Sequence, residues 1–322
     1  MTPFLNEASA MHPSTSPSAA RPGPKPRRAL RLLALAVLCQ ASAAYALSPP
    51  ANLRIGTGGG TPTAWPSASN TGWQPTGVTL KASGSLTVST AGAVVDGLDV
   101  SGTIYVSANN VTIKRSRVRA SAFAAIQIRS GVTGVRVEDC EIDGRGTSGG
   151  ATNSMGVIGP VTVLRSNIYG VENGVTPESG SLVQDSYIHD LGAPGSPHYD
   201  GIQIDGGLSN IVVRHNNIVV SQSQTSAVMI DNYFGPTSNI TVDNNRLVGG
   251  GFTVYSDGQF GSSSPRGGTG GTISGVSFTN NRLGKGSAGY ANIVKNTPAW
   301  SGNVDDATGQ SLGTSVWWTS AT

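Results

Sequence analysis

The chain has 322 residues, of which 12% are charged and 6% aromatic, and 44 are glycine. Its formal charge of +3 sits at the front: Arg21, Lys25, Arg27, Arg28, Arg31 and Glu7 all fall within residues 1–46, and without them 16 basic residues face 17 acidic ones, a net charge near −1. That balance removes the electrostatic motive for nucleic-acid binding, and a single remaining cysteine, Cys140, rules out an intrachain disulfide.

Residues 1–46 read as a signal peptide. A basic cluster ends at Arg31, an apolar run covers 32–38, and Ala44-Tyr45-Ala46 offers a cleavage site. The expected address is secreted or periplasmic, and the run is too short to span a bilayer, so no membrane insertion is expected. Residues 47–90, rich in Gly and Pro with Trp65 and Trp73, read as an N-terminal extension and cap.

From 91 to 295 the apolar residues come in runs of three to five, rich in Val and Ile and bounded by Gly, Asn, Ser or Asp. This is the pattern of short strands and turns. A repeat of apolar-x-x-(Ser, Cys or Asn)-x-apolar recurs seven times: 113–118, 137–142, 163–168, 183–188, 213–218, 242–247 and 278–283, after a degenerate copy at 95–100. The copies start 18 to 36 residues apart, so strands are constant and loops vary. Six of the repeats follow a second short strand, at 125–128, 156–158, 174–176, 201–204, 227–230 and 252–255. No such coil buries its apolar face alone, so coils must stack. The expected fold is all-β: a right-handed parallel β-helix of about eight or more coils with capped ends. Ser116, Cys140, Ser166, Ser186, Asn216, Asn245 and Asn281 would then form one ladder. Residues 296–322, with Trp300, Trp317 and Trp318, read as the C-terminal cap, and a monomer is expected.

Stacking turns the sequence into a surface map. Aligning Ile202 and Ile204 with Val228 and Ile230, and those with Phe252 and Val254, gives an outward column Gln127, Ile158, Thr176, Gln203, Met229, Thr253. A second column runs Arg129, then Pro177 or Glu178, Asp205, Asp231 and Tyr255, with Lys295 as its continuation. Asp205 and Asp231 are expected about one strand spacing apart, where one carboxylate is protonated or a cation sits between them. Long loops at 189–199, 221–226, 231–239 and 259–275 would wall a groove beside this map, with Tyr233, Phe234, Tyr255 and Phe260 as stacking faces. His215 falls in a turn column with Arg115, Asp139 and Arg165, and nothing in the spacing requires His189. No HExxH, CxxC, GxSxG or phosphate-binding loop occurs.

The Val-Thr-Ile-Lys-Arg-Ser-Arg-Val type of repeat resembles those of the pectate-lyase-like β-helix superfamily over residues 93–295. His198-Tyr199-Asp200-Gly201-Ile202-Gln203, with Phe234-Gly235-Pro236 and Gly249-Gly250-Gly251, resembles a subgroup of secreted bacterial β-helix proteins similar to alginate lyases. The resemblance implies β-elimination on an acidic, uronate-containing polysaccharide. Such a lyase needs a base, an acid and a partner for the substrate carboxylate. His198 is the expected base or carboxylate partner, Tyr199 the acid, and Lys295, Arg129 and Arg214 electrostatic aids. Gln203, Tyr233, Tyr255 and Asp231 would bind substrate, and Asp205 with Asp231 would hold Ca²⁺. A hydrolase using Asp200, Asp205 and Asp231, or a polysaccharide-binding protein without turnover, are the alternatives.

Overall fold

The computed structural model describes residues 64–146 and 150–319, all within one unit, Gly56–Thr322. The export signal expected in 1–46 and the first part of the N-terminal extension lie outside the described residues.

Strands form because the repeat places one buried aliphatic between two polar neighbours, the period-two pattern of a sheet face. A typical coil runs Thr112–Lys114, Arg117–Arg119, Ala124–Ile128, and each of these strands joins a different sheet. The described residues give three parallel sheets of ten, ten and nine strands. The first begins with Lys81–Ser83, the second with Leu86–Val88 and the third with Val94–Asp96. This is the right-handed parallel β-helix that the repeat requires. It is longer than expected at both ends: coils begin at Lys81, and the last one, built from Ala299–Ser301, Val304–Asp305 and Trp317–Trp318, lies in the region read as a cap.

The core is a set of aliphatic stacks. Ile113, Val137, Val163, Val183, Val213, Val242 and Phe278 line up from the third sheet; Val118, Ile142, Ile168, Ile188, Ile218 and Leu247 do so from the first. All are fully buried, and each contributes about 1.5–3 kcal/mol of transfer free energy. Trp300 closes the far end over Phe278, at 5.7 Å between ring centroids, with Trp317 edge-on at 5.8 Å.

The corner between third and first sheets takes two residues. Its first residue is left-handed in every coil: Gly97 and Gly302 at the ends, Arg115, Asp139, Arg165, Asp185, His215, Asn244 and Asn280 between, with φ from 45° to 67°. The strain at non-glycine positions is offset by pairing along the column, Arg165 with Asp139 at 2.7 Å and His215 with Asp185 at 2.6 Å. His215 is thus a turn residue, as its column suggested.

The second corner residue builds the ladder. Ser166 Oγ accepts the Cys140 amide at 3.4 Å, Ser186 Oγ accepts that of Ser166 at 3.1 Å, and Asn216 Oδ1 that of Ser186 at 3.0 Å. Asn245, Asn281 and Asn303 continue it, each Oδ1 accepting both the backbone N–H and the Nδ2–H of the asparagine before it at 2.9–3.0 Å. Asn303 is a rung beyond those the repeat had shown.

Residues 64–77 do not wind into a coil. They run along the first sheet as a strap: Trp65 stacks on His215 at 5.4 Å, and Pro66 O accepts Asn217 Nδ2 at 2.9 Å. Farther along, Gly72 N donates to Arg165 O at 2.9 Å and Trp73 Nε1 to Glu141 Oε2 at 2.9 Å. Residues 64–77 of the extension therefore bind the flank of the middle coils, while Lys81–Ser83 and Leu86–Val88 are themselves strands of the first coil.

Candidate functional site

The second sheet carries most of the expected site residues, and its register differs from the expected one at two points, Phe252 and Lys295. Gln203 pairs with Met229 as anticipated, but Val228 pairs with Val254, so Tyr255, not Thr253, follows Met229 outward. Phe252, which follows the tight Gly249-Gly250-Gly251 corner, takes the place that Asn173, Asp200 and Ser226 hold on the preceding coils, not that of an aliphatic core residue. Gly249 and Gly250 adopt φ of 90° and 79°, and a Cβ on Gly249 would lie 1.9 Å from Val220 O. Arg246 and Val254 are as far apart in sequence as their in-register equivalents Asn167 and Val175, so the coil is of ordinary length, and Thr253 turns in to donate to Gly284 O at 2.8 Å. The outward column is therefore Gln127, Ile158, Thr176, Gln203, Met229, Tyr255, Asn292 and Trp318. Asp257, not Tyr255, stands beside Asp231.

Asp205 and Asp231 do follow paired residues, Ile204 and Ile230, on adjacent coils. Asp205 is half-buried, but Asp231 is 0% exposed and its Oδ1 accepts the Tyr233 amide at 2.9 Å. Asp257 likewise accepts the Gln259 amide at 3.1 Å and pairs with Arg266 at 2.7 Å. These carboxylates cap turns. Asp200 is also 0% exposed, inside the barrel, accepting Ser226 Oγ at 2.8 Å while its amide donates to Asn173 Oδ1 at 3.2 Å. Asp200 and Asp231 are thus enclosed, out of reach of a polysaccharide. Among the described residues no group of three His, Cys, Asp or Glu side chains converges to hold a metal ion.

The other expected residues are spread out. His198 is exposed at the start of strand Asp200–Ile204, its amide donating to Glu172 Oε1 at 3.0 Å. Tyr199 OH donates to Ala193 O at 3.3 Å. At about 3.3 Å per residue, His198 and Asp205 stand up to about 23 Å apart, beyond opposite ends of the strand Asp200–Ile204. Arg129 lies three coils before Asp205, and exposed Lys295 three coils after it. Arg214 is on the third sheet, donating to Gln184 Oε1 at 2.6 Å. Tyr233 packs edge-on against Phe234 and Phe260 at 4.8 and 5.3 Å. Gln203 is a buried part of the sheet floor.

The residues that do converge lie on the first sheet. Strands Glu141–Asp143, Asn167–Tyr169 and Tyr187–His189 are neighbours in register, so Tyr169 meets His189 and Asn167 meets Tyr187. His189 stacks on Tyr187 with centroids 4.0 Å apart and planes 13° from parallel, and lies 5.3 Å from Tyr169. Its Nε2 meets the Asn167 carboxamide at 2.9 Å and its Nδ1 meets Asp190 at 2.8 Å. Tyr169 OH donates to Glu141 Oε1 at 2.6 Å. Arg145 lies over the Tyr169 ring at 4.8 Å, and Arg246 donates to Asn217 Oδ1 at 3.1 Å on the other side.

The His189 imidazole is only 12% exposed, and burial, aided by the charge of Arg145 and opposed by Asp190, holds its pKa below the ordinary 6.5. Burial pushes Tyr187 the other way, above 10, with Asp190 adding to the shift and Arg246 opposing it. Tyr169 is raised further, by burial and by its bond to Glu141. At neutral pH the patch therefore presents a neutral imidazole against protonated phenols. Groups whose environments drive their pKa values apart are the natural acid and base of a site. The cluster lies on the repeat's own polar flanks, which stack as Arg117/Arg119, Glu141/Asp143, Asn167/Tyr169 and Tyr187/His189, and not on the preceding strands that carry the expected site.

No protein-family model matches the chain, and no curated protein matches it. Among solved structures, the Dettilon tailspike protein (gp208) is similar at a TM-score of 0.39 and 10% identity, over 75% of this chain. The chain spans 61% of that protein's length.

Proposed function

We propose that this protein binds an acidic polysaccharide along its first sheet and cleaves it by β-elimination, with His189 and Tyr187 as the proton-transfer pair. The observation that carries the reading is the stack of a buried, neutral imidazole on a protonated phenol, with the guanidiniums Arg145 and Arg246 beside it. In the reaction His189 removes the proton at carbon 5 of a uronate. The electron pair forms the carbon 4–carbon 5 double bond, and the bond from carbon 4 to the bridging oxygen breaks. Tyr187 supplies the proton that the leaving oxygen takes up. Asn167 Oδ1 meets His189 Nε2 at 2.9 Å and fixes the ring; with the single proton of the neutral imidazole on Nε2, donated to that oxygen, the Nδ1 lone pair, on the side of the exposed Asp190, is the base. Arg145 is paired with Asp143 at 3.0 Å, but 56% of its side chain is exposed, so it is the cation that would turn to the substrate carboxylate. The hydrolase alternative requires two accessible carboxylates, and Asp200 and Asp231 are enclosed. The signal expected in residues 1–46 would bring the protein out of the cytoplasm to its polymer.

The test is incubation with alginate, polygalacturonate and glucuronan, following ultraviolet absorbance of the new double bond and the appearance of reducing ends. His189→Ala and Tyr187→Phe should each lower the rate by about 100-fold or more, with unchanged thermal transitions. Reducing ends without absorbance, or full activity in His189→Ala, would overturn the assignment.

A further inference from the structure

The outward column of the second sheet ends in a group that neither face's turn chemistry uses. Tyr255, Asn292 and Trp318 follow one another in register on the last three coils. Adjacent coils are about 4.8 Å apart, so the two rings stand about 10 Å apart, roughly the length of two pyranose residues at about 5 Å each. Phe252 supports both, edge-on to Tyr255 at 5.6 Å and tilted against Trp318 at 5.9 Å.

Two independent features mark this place. Trp318 is 47% exposed, and with Val94 it makes up the exposed large hydrophobic residues among those described. Between the rings, Asn292 is 6% exposed, yet its Oδ1 is buried without a hydrogen-bond partner. Buried polar atoms are nearly always paired, so an orphaned carboxamide between two aromatic rings points to an absent donor. The strand Trp317–Trp318 has two residues and pairs on one side only, with Ala291 and Asn292. Its ring can therefore swing from Asn292 without opening a sheet.

We propose that this end of the second sheet is a binding site for a neutral pyranose chain, whose apolar ring faces stack on Tyr255 and Trp318 while one hydroxyl donates to Asn292 Oδ1. The ligand is uncharged because the column from Gln127 to Trp318 holds no ionisable group but the Tyr255 phenol, held protonated chiefly by burial. Flat, all-equatorial rings fit best, since they present the largest apolar face. The site lies on a different sheet from the His189 cluster and stands or falls separately from the lyase reading.

Cellohexaose titrated into the full chain, followed by tryptophan fluorescence and calorimetry, tests it. Wild type should bind saturably at submillimolar concentration, and Trp318→Ala should bind at least 10-fold more weakly with its thermal transition in place. Asn292→Leu should also bind more weakly, yet melt about 2 °C higher, because it removes an unpaired buried polar atom. His189→Ala should bind cellohexaose as wild type does. No saturable binding by wild type, wild-type affinity in Trp318→Ala, or a lowered melting point for Asn292→Leu would overturn the proposal.

Discussion

Replacing Asn245 by leucine tests the ladder most directly. The carboxamide is fully buried. Its Oδ1 accepts the Asn216 amide at 2.9 Å and Asn216 Nδ2 at 3.0 Å, while its Nδ2 donates to Val213 O at 2.9 Å, Asp243 O at 3.0 Å and Asn281 Oδ1 at 3.0 Å. Leucine matches the volume and makes none of these. Each orphaned buried donor costs about 1–3 kcal/mol, and two donors of Asn216 are stranded, so the loss should be about 2–6 kcal/mol. Serine is the control, because the ladder already contains it: Ser186 accepts the Ser166 amide at 3.1 Å and donates to Gln184 O at 3.0 Å. Asn245→Ser keeps the contact to the Asn216 amide and should cost about 1–3 kcal/mol. With about 2–4 °C of melting temperature per kcal/mol in a domain of this size, the leucine variant should melt about 10 °C lower. The Asn216 amide should exchange with solvent at least about 100-fold faster in the leucine variant. Equal stability of the leucine and serine variants would refute the claim that the amide ladder, and not volume, holds this corner.

Two further outcomes follow from buried titratable groups. Burial pushes the Cys140 thiol up to about 12, so it should react with a disulfide reagent only upon unfolding; Cys140→Ser, which copies its neighbours Ser116 and Ser166, should cost no more than about 1 kcal/mol. Because His189 is held below 6.5 in the folded chain, the unfolded chain binds the extra proton first as pH falls. Stability should therefore rise with pH between that lowered value and 6.5 and level off above it, a slope that His189→Gln removes. The elimination rate should climb over the same interval and hold until Tyr187 ionises, above 10.

The fold was legible because the repeat carries it redundantly. One apolar residue, one small polar residue and one more apolar residue recur at fixed spacing, and each of the three has a distinct place in the coil. The corner column of Arg115, Asp139 and His215 was readable as a turn for the same reason. Register failed at Phe252, which stands where earlier coils carry Asn173, Asp200 and Ser226, so that matching by apolar residues slips by two, and again at Lys295, because Val294 and not Lys295 pairs with Asp257. The chemistry was harder to read. A strand-to-strand map of one sheet suggested that His198 and Asp205 share a groove, though a whole strand separates them. Tyr169, Tyr187 and His189 come together only through a sheet that the map omitted. The strap was invisible: the contacts of Trp65 and Pro66 lie some 150 positions away, and no local pattern announces them.

That strap has a consequence for how the molecule is assembled. Pro66 leaves the ribosome long before Asn217, its partner 151 positions later in the chain. Until then the segment around Trp65 has no surface to lie on, whereas each new coil can dock on the one before it. The winding of the barrel is thus a local affair that propagates from turn to turn. Fastening of the strap is a late, long-range event that reports completion of the His215 coil. A nascent chain stalled before His215 should hold finished turns with the strap docked from Gly72 onward on Arg165 and Glu141, while its Trp65 end remains open to proteolysis nearby.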